Sequence, residues 1–555
     1  MKKKGVKKRL RCILTAMFLG AAMWVLGISG IAVAFEIPTG ISDIEMRWDN
    51  TLRYTYGVRV VGPDPLVLRN VNTDDGDRNF NKGTVTNRLD ILSEYDFRFK
   101  KDYGVRFSGA AWYDQRYHDP LGNDSVATSN HLDENGNQAL GLPDGTKRWH
   151  AGPNWELLDA FGFGRVDVGE IPLHIKLGRH TLFWGEGLLG GSAINGLSYS
   201  QFPVDFAKAL QFPGIEAKEL FRPSDSVSVH AQLTPTMSLQ GQYFLEFEPY
   251  RYGEPGSYLW PFDMFSSYGG ESLILGPGLL ARRADDIRPD GRDEWGVAWH
   301  WAPTWLGGDI GLYYRHFSDK QPQFYLDLGR MNYFLVYPDH IDLYAISFSK
   351  EVLGVSIGFE YNYRTNMPLN SDPILLFPGQ PRPGVGETAG ARGNVSNIVF
   401  NLLGLFTKTP LWDSASWAME LTYVNLERLT QGEQYFMGRD GRTGIDTVTR
   451  SATGIAANFA PTWFSVLPGV NLSMPLSISY GLDGNSVLLS GDDYHCGNWS
   501  GGFELDIYNQ KYLVDLKYTG YFGDIDPTPT GNVARGFMAN LRDRDFVSLT
   551  FKTAF

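Results

Sequence analysis

The last ten residues, Phe546-Val-Ser-Leu-Thr-Phe-Lys-Thr-Ala-Phe555, constrain the fold more than any other stretch. Counting back in twos from Phe555 gives Thr553, Phe551, Leu549 and Val547. The alternate set is Ala554, Lys552, Thr550 and Ser548. This is a period-two strand with one mainly apolar and one mainly polar face, and it stops on an aromatic ring. Chain ends of soluble domains usually fray. A membrane barrel instead pairs its last strand with its first, because an unpaired edge in lipid leaves backbone groups without partners. The segment points to such a barrel; an edge strand of a soluble β-domain is the alternative.

The other end agrees. Residues 1–11 carry seven cations and no acid, an apolar stretch follows to about residue 33, and Ala32-Val33-Ala34 offers a small-x-small site. That is the layout of a secretory signal peptide over 1–34, with an uncleaved anchor helix as the alternative. Cys12 precedes the apolar core, which argues against a lipoprotein anchor. Without 1–34, 43 Lys and Arg stand against 62 Asp and Glu, a net −19. Such an acidic product is a poor nucleic-acid partner, since phosphate contacts need cations. Only Cys496 remains, so no internal disulfide is expected. No later stretch is apolar enough for a spanning helix.

Strand patterns joined by short turns fall in pairs over 87–99 and 103–117, 155–168 and 173–184, 226–233 and 237–247, 292–301 and 308–317, 340–350 and 353–365, 395–406 and 415–426, 452–464 and 470–481, and 497–508 and 511–522, with 45–61 before them and 543–555 after. Long connections alternate with short turns such as Lys100-Lys101-Asp102 and Asn509-Gln510. An up-and-down barrel needs this, with short periplasmic turns and long extracellular loops. The predicted fold is an all-β transmembrane antiparallel barrel of about 18 strands (16 to 20) over 35–555, with a plug formed by loops. Within 87–99, Leu89, Ile91, Tyr95 and Phe97 share one face; Arg88, Asp90, Glu94, Asp96 and Arg98 share the other. In lipid the charged face must turn to the lumen, because a cation at the midplane costs about 2–4 kcal/mol.

Several blocks carry a family resemblance: Asn79-Phe-Asn-Lys-Gly83 with Asn87-Arg-Leu-Asp-Ile-Leu-Ser-Glu94, Gly178-Arg-His-Thr-Leu-Phe-Trp-Gly-Glu-Gly187, Pro203-Val-Asp-Phe206, Pro213-Gly-Ile-Glu-Ala-Lys-Glu219, and Tyr363-Arg364 with Met367-Pro-Leu369. Together they resemble the proteobacterial outer-membrane family catalogued as domain of unknown function 1302. The resemblance implies an outer-membrane location and transport of hydrophobic compounds such as fatty-acid derivatives or sterols, with distant similarity to long-chain fatty-acid channels. The C-terminal strand is similar to the signal that barrel-insertion machinery reads in Gram-negative outer-membrane proteins, with Phe551 and Phe555 as its aromatic positions.

Two insertions, near 185–225 and 248–291, are too apolar for free loops over water. The first carries Leu188, Leu189, Phe202 and Phe206, with a short helical candidate at 203–210. The second carries Trp260, Phe262 and Phe265. They are candidates to plug the barrel, to cap it as a binding site, or to dock a partner. Arg179 and His180 are candidates to hold a carboxylate headgroup; an ion pair of Arg179 with Glu186 or a neighbouring strand is the simpler reading. Asp74-Asp75-Gly76-Asp77 and Asp133-Glu134-Asn135-Gly136 lack the spaced ligands of a calcium loop and read as solvated loops. No catalytic spacing and no phosphate-binding glycine motif occurs, so neither an enzyme nor a cofactor is expected. The expected role is a channel for hydrophobic or amphipathic small molecules without its own energy source. A general polar porin and a surface interaction protein are the rivals. Expected partners are outer-membrane lipid and lipopolysaccharide, the insertion machinery, and a periplasmic or inner-membrane export partner.

Overall fold

A computed structural model describes residues 35–211 and 217–555. The expected signal peptide lies outside the described residues, as does part of the 213–219 block. Eighteen strands form the wall: β1 (Ile44–Arg59), β2 (Gly83–Phe99), β3 (Tyr103–Asp114), β4 (Asn154–Val168), β5 (Ile171–His180), β6 (Ser224–Thr234), β7 (Met237–Phe244), β8 (Trp295–Trp301), β9 (Gly308–Phe317), β10 (Ile341–Val352), β11 (Val355–Pro368), β12 (Arg392–Phe406), β13 (Ser414–Gln431), β14 (Ser451–Leu467), β15 (Val470–Ser473 and Leu476–Asp483), β16 (Gly497–Ile507), β17 (Tyr512–Phe522) and β18 (Phe546–Ala554). The break in β15 falls at Met474-Pro475, where proline has no N–H to give the ladder.

Every neighbouring pair in the wall is antiparallel. β1 closes on β18 in register from Thr51↔Ala554 to Arg59↔Phe546. The fold is therefore a closed, transmembrane-type antiparallel barrel with no free edge at the seam. Short turns and long connections alternate around it, as the sequence pattern required.

Side chains sort by parity. On β2, Arg88, Asp90 and Glu94 are buried at 2%, 8% and 8% exposure, whereas Ile91 is 39% exposed. The charged face lines the inside, where Arg106 of β3 pairs with Glu94 at 2.5 Å, Asp96 at 2.8 Å and Asp159 at 3.1 Å. Leu92 also turns inward and packs on Ala110 and Leu158. The outside is an apolar belt. At the short-turn end it carries exposed Phe99, Tyr103, Trp305, Phe464 and Tyr508; interfacial aromatics of this kind anchor barrels at a membrane surface.

One feature was not expected. Three long connections are stitched into a second, five-stranded sheet made from Ser272–Gly276, Leu279–Arg283, Gln323–Asp327, Asn332–Val336 and Ile374–Leu376. Part of the predicted second insertion is thus a β-hairpin. β5 also stops at His180 rather than continuing to Trp184. There the chain leaves the wall, and the Trp184 amide bonds the side chain of Gln201 instead of a neighbouring strand.

Candidate functional site

The inner wall holds the first part of the first insertion, residues 186–197, by its backbone. Glu420 of β13, 1% exposed, accepts the N–H groups of Leu188 at 2.7 Å, Leu189 at 2.9 Å and Ser192 at 2.8 Å. Glu360 of β11 accepts those of Glu186, Gly187 at 2.9 Å and Leu197 at 2.9 Å. Arg364, two positions further along the same face than Asn362, donates to the carbonyls of Ile194 at 3.0 Å and Gly196 at 2.8 Å. Asn362 donates to the Asn195 carbonyl at 2.8 Å. Two carboxylates thus collect amides that a turn-rich segment cannot satisfy internally, and an arginine collects its carbonyls. Gly185 sits at φ +90°, and a Cβ there would collide with the Glu360 carboxylate, which accounts for glycine at that point of the run.

Along β13 the inward positions change from Glu420 and Thr422 to Val424 and Leu426 toward the long-loop end. The apolar cluster forms at that end. Ile194, Leu197, Tyr199, Phe202 and Val204 of the segment pack with Tyr250, Tyr252 and Trp260 of the second insertion and with Leu343, Val395 and Val424 of the wall.

Phe202 is 2% exposed and packs on Phe183 and Phe221 at 4.8 and 4.5 Å between ring centroids. Phe206 opens a short helix, Phe206–Gln211, and stacks parallel to Tyr252 at 5.9 Å. Trp260 is 2% exposed and donates its indole N–H to the Phe265 carbonyl at 2.7 Å; Phe265 packs on Tyr252 at 4.7 Å and Phe262 on Phe537 at 5.8 Å. These five residues join one cluster. Leu188 does not: it remains 40% exposed beside Glu420, and Leu189 is half-buried. Phe551 lies on the outward face of β18 against Tyr512, and Phe555 is 51% exposed at its end.

Arg179 pairs with Glu246 at 3.5 Å and Glu248 at 3.6 Å, not with Glu186. Glu186 instead sits near Ser347, at 3.4 Å. His180 is 2% exposed, and both ring nitrogens are engaged, by the Gly178 carbonyl at 2.9 Å and the Ser228 hydroxyl at 2.8 Å. It therefore has no free ring donor for a headgroup.

The acidic run at 74–77 is not a solvated loop. Asp75–Asn79 is a short helix, and Asp74 and Asp77 are fully buried. Asp77 pairs with Arg59 at 2.8 Å and Arg544 at 3.4 Å, and Asp74 with Arg78 at 2.5 Å. Burial raises Asp74 to about 6 against the pull of Arg78, raises Asp75 to about 7 with help from Asp74, and raises Asp543 to about 7 with help from Asp77. The Asp133 loop is a solvated turn, its carboxylate accepting the amides of Asn135 at 2.9 Å and Asn137 at 2.8 Å. Among the described residues, no cluster of at least three His, Cys, Asp or Glu is placed to hold a metal ion.

Sequence reasoning missed the wall anchors Glu360, Arg364 and Glu420. Their signal was present as charges at inward positions of otherwise apolar strands, but nothing in a strand pattern names the loop that such a charge will meet.

Among solved structures, the chain is similar to OccAB2 of Acinetobacter baumannii (10% identity, TM-score 0.40, 92% of this chain and 98% of that one). It is similar to OpdK of Pseudomonas aeruginosa with vanillate (10%, 0.39, 92% and 98%) and to a BenF-like porin of Pseudomonas fluorescens Pf-5 (9%, 0.40, 92% and 98%). No curated protein matches. The family model described as "Protein of unknown function (DUF1302)" matches residues 15–555, and the chain belongs to that family.

Proposed function

We propose that this protein is an outer-membrane channel for hydrophobic or amphipathic small molecules, reached after secretion through the inner membrane. The observation that carries the reading is the aromatic segment hung inside a charged barrel on two buried carboxylates. An empty barrel of this strand number holds an aqueous channel. Here the lumen is narrowed by an apolar body that offers a surface to an apolar solute. The channel has no energy source of its own, so direction comes from a gradient or from an export partner. Phe551 and Phe555 are the positions that the insertion machinery reads, and lipid and lipopolysaccharide surround the belt. Liposomes loaded with the protein and offered a panel of lipids and sugars test the proposal: uptake of the lipids above protein-free vesicles supports it, and uptake of sugars alone overturns it. A polar porin is the second reading, favoured by the ion-paired inner wall around Arg106.

A further inference from the structure

The barrel wall is uneven. β5 to β8 contain 10, 11, 8 and 7 residues, against 16 and 17 in β1 and β2. β4 does not share the shortening. It begins at Asn154, yet its pairing with β5 begins only at Ala160↔Arg179. The 154–159 stretch hydrogen-bonds to β3 along one edge and, among the described residues, pairs with no strand along the other. Where β5 would continue, the chain has already left for the lumen. This opens a side window between the upper end of β4 and the start of β6.

A cavity of about 320 Å³ fills that window. Four arginines line it: Arg148, Arg179, Arg222 and Arg251. The guanidinium of Arg251 lies 4.4 Å from the centroid of Trp149, whose ring stacks on Tyr268 at 4.9 Å. Three of the arginines are shared with carboxylates. Arg251 pairs with Glu156 at 2.7 Å and Asp205 at 2.8 Å, Arg222 with Glu248, and Arg179 with Glu246 and Glu248 at the longer distances of 3.5 and 3.6 Å. Lys208 also pairs with Glu156. Arg148 has no carboxylate partner among the described residues and lies over Trp149 at 5.2 Å. Within the cavity lining itself four arginines meet a single acid, Glu156, with Asp225 and Glu254 among the further acids behind them. Two buried donors among the lining residues, Nε of Arg251 and Nδ2 of Asn154, have no hydrogen-bond acceptor among the described residues. The Arg251 side chain is only 6% exposed. Buried donors left open in a cationic cavity call for an anionic acceptor.

The outer rim of the window is apolar. Trp155 is 71% exposed and Leu157 48%, both on the membrane-facing side of the unpaired edge. One step along β4, Glu156 turns inward to the arginines. A ligand seated here meets guanidinium groups at one end and an indole and a leucine at the other.

We propose that this window is the site where an amphiphile with one anionic headgroup binds and passes sideways between lumen and bilayer, its headgroup on Arg148, Arg179 and Arg251 and its chain along Trp155 and Leu157. The proposal rests on the channel reading and specifies the substrate class and the exit. A planar guanidinium takes a carboxylate or phosphate oxygen pair bidentately, and the flanking rings exclude water from the contact.

The test uses the full chain in detergent and in nanodiscs. Binding of a spin-labelled sixteen-carbon carboxylate is compared with that of its methyl ester, for the wild type and for the R148Q/R179Q double variant. Loss of the charged contacts is expected to weaken carboxylate binding at least about tenfold and to leave ester binding unchanged. A benzophenone amino acid in place of Trp155 is expected to crosslink the probe's chain. Competition by lysophosphatidic acid in the nanodiscs separates the two sources of headgroup. Displacement of the probe assigns the site to lipid phosphates as well as carboxylates; no displacement restricts it to carboxylates. Equal carboxylate binding by wild type and variant, ester binding as tight as carboxylate binding, or no crosslink at position 155 overturns the proposal. Uptake of an uncharged apolar probe into liposomes by the same variant distinguishes the two claims. If that uptake persists while carboxylate binding shows no arginine dependence, the channel reading stands and the window falls.

Discussion

Removing the Glu420 carboxylate should release the lumenal segment, and the size of the effect can be worked from its contacts. Glu420→Ala strands the amides of Leu188, Leu189 and Ser192, which the carboxylate now accepts at 2.7, 2.9 and 2.8 Å. Each buried donor left open costs about 1–3 kcal/mol. Water reaching the exposed Leu188 side lowers the total, so the lower end, about 3 kcal/mol for the three, is the working figure. At about 1.4 kcal/mol per decade this moves the balance between docked and released segment roughly 150-fold. Glu420→Gln keeps one acceptor oxygen and should fall between wild type and Glu420→Ala. Single-channel conductance in planar bilayers is expected to rise in that order, with deletion of 188–212 as the upper reference. Hydrogen exchange at Leu188 to Leu197 should rise in parallel. Unchanged conductance and unchanged exchange in Glu420→Ala would refute the idea that this carboxylate holds the segment. Unchanged conductance in the deletion would move attention to the 248–291 insertion.

A cysteine at Asp96, the more exposed inward position of β2, should react with a water-soluble maleimide while one at Ile91 should not, and Ile91→Arg should cost about 2–4 kcal/mol if that position lies near the bilayer midplane; the reverse labelling pattern would mean the wall is inside out. Deleting Phe555 or replacing it with a charged residue should reduce the heat-modifiable barrel recovered from outer-membrane fractions, and full recovery would count against its role in the insertion signal. Asp74, Asp75 and Asp543 are all raised from 3.8, to about 6, 7 and 7. The folded state therefore holds their protons more tightly than the unfolded one, so their contribution is full below the ordinary carboxylate value and is lost as pH rises through 6 to 7. Proteolysis of the segments around 64–79 and 538–545 should be faster at pH 8 than at pH 5.5, after correction for the protease's own pH dependence; equal rates would remove this cluster as a pH-dependent latch.

The wall was legible because lipid demands strict alternation. Residues such as Arg88, Asp90 and Ile91 have only one face each that they can occupy, and the terminal Phe546 to Phe555 strand has only one partner that leaves no edge. The interior was less so. Phe202 and Trp260 announced burial by their size, yet the partners that hold the stretch leading to Phe202, Glu360 and Glu420, lie more than 150 residues away from it in sequence, and polar anchors of this kind follow no local period. Asp74 and Asp77 misled because an acidic run with glycine reads as solvated unless the arginines that will bury it, Arg59 and Arg544, are known. The short strands over the long-loop end were hidden for a different reason: each has at most five residues and gains its identity only from neighbours in other loops.

That small sheet has a mechanical consequence. Asn332–Val336 sits between Gln323–Asp327 and Leu279–Arg283, in antiparallel register with the first and parallel to the second, and Gln323–Asp327 in turn carries Ile374–Leu376. The connections after β7, β9 and β11 are thereby laced into one panel. A panel tied by backbone ladders unfastens cooperatively or not at all, so these three stretches should exchange their amide hydrogens as a single unit. Movement over this end of the barrel then takes the form of a hinged plate swinging about its attachments, rather than of separate strands of rope waving independently. The stiff middle of the plate, around Tyr325 and Phe334, is where a change of one residue in length would be felt across all three connections at once.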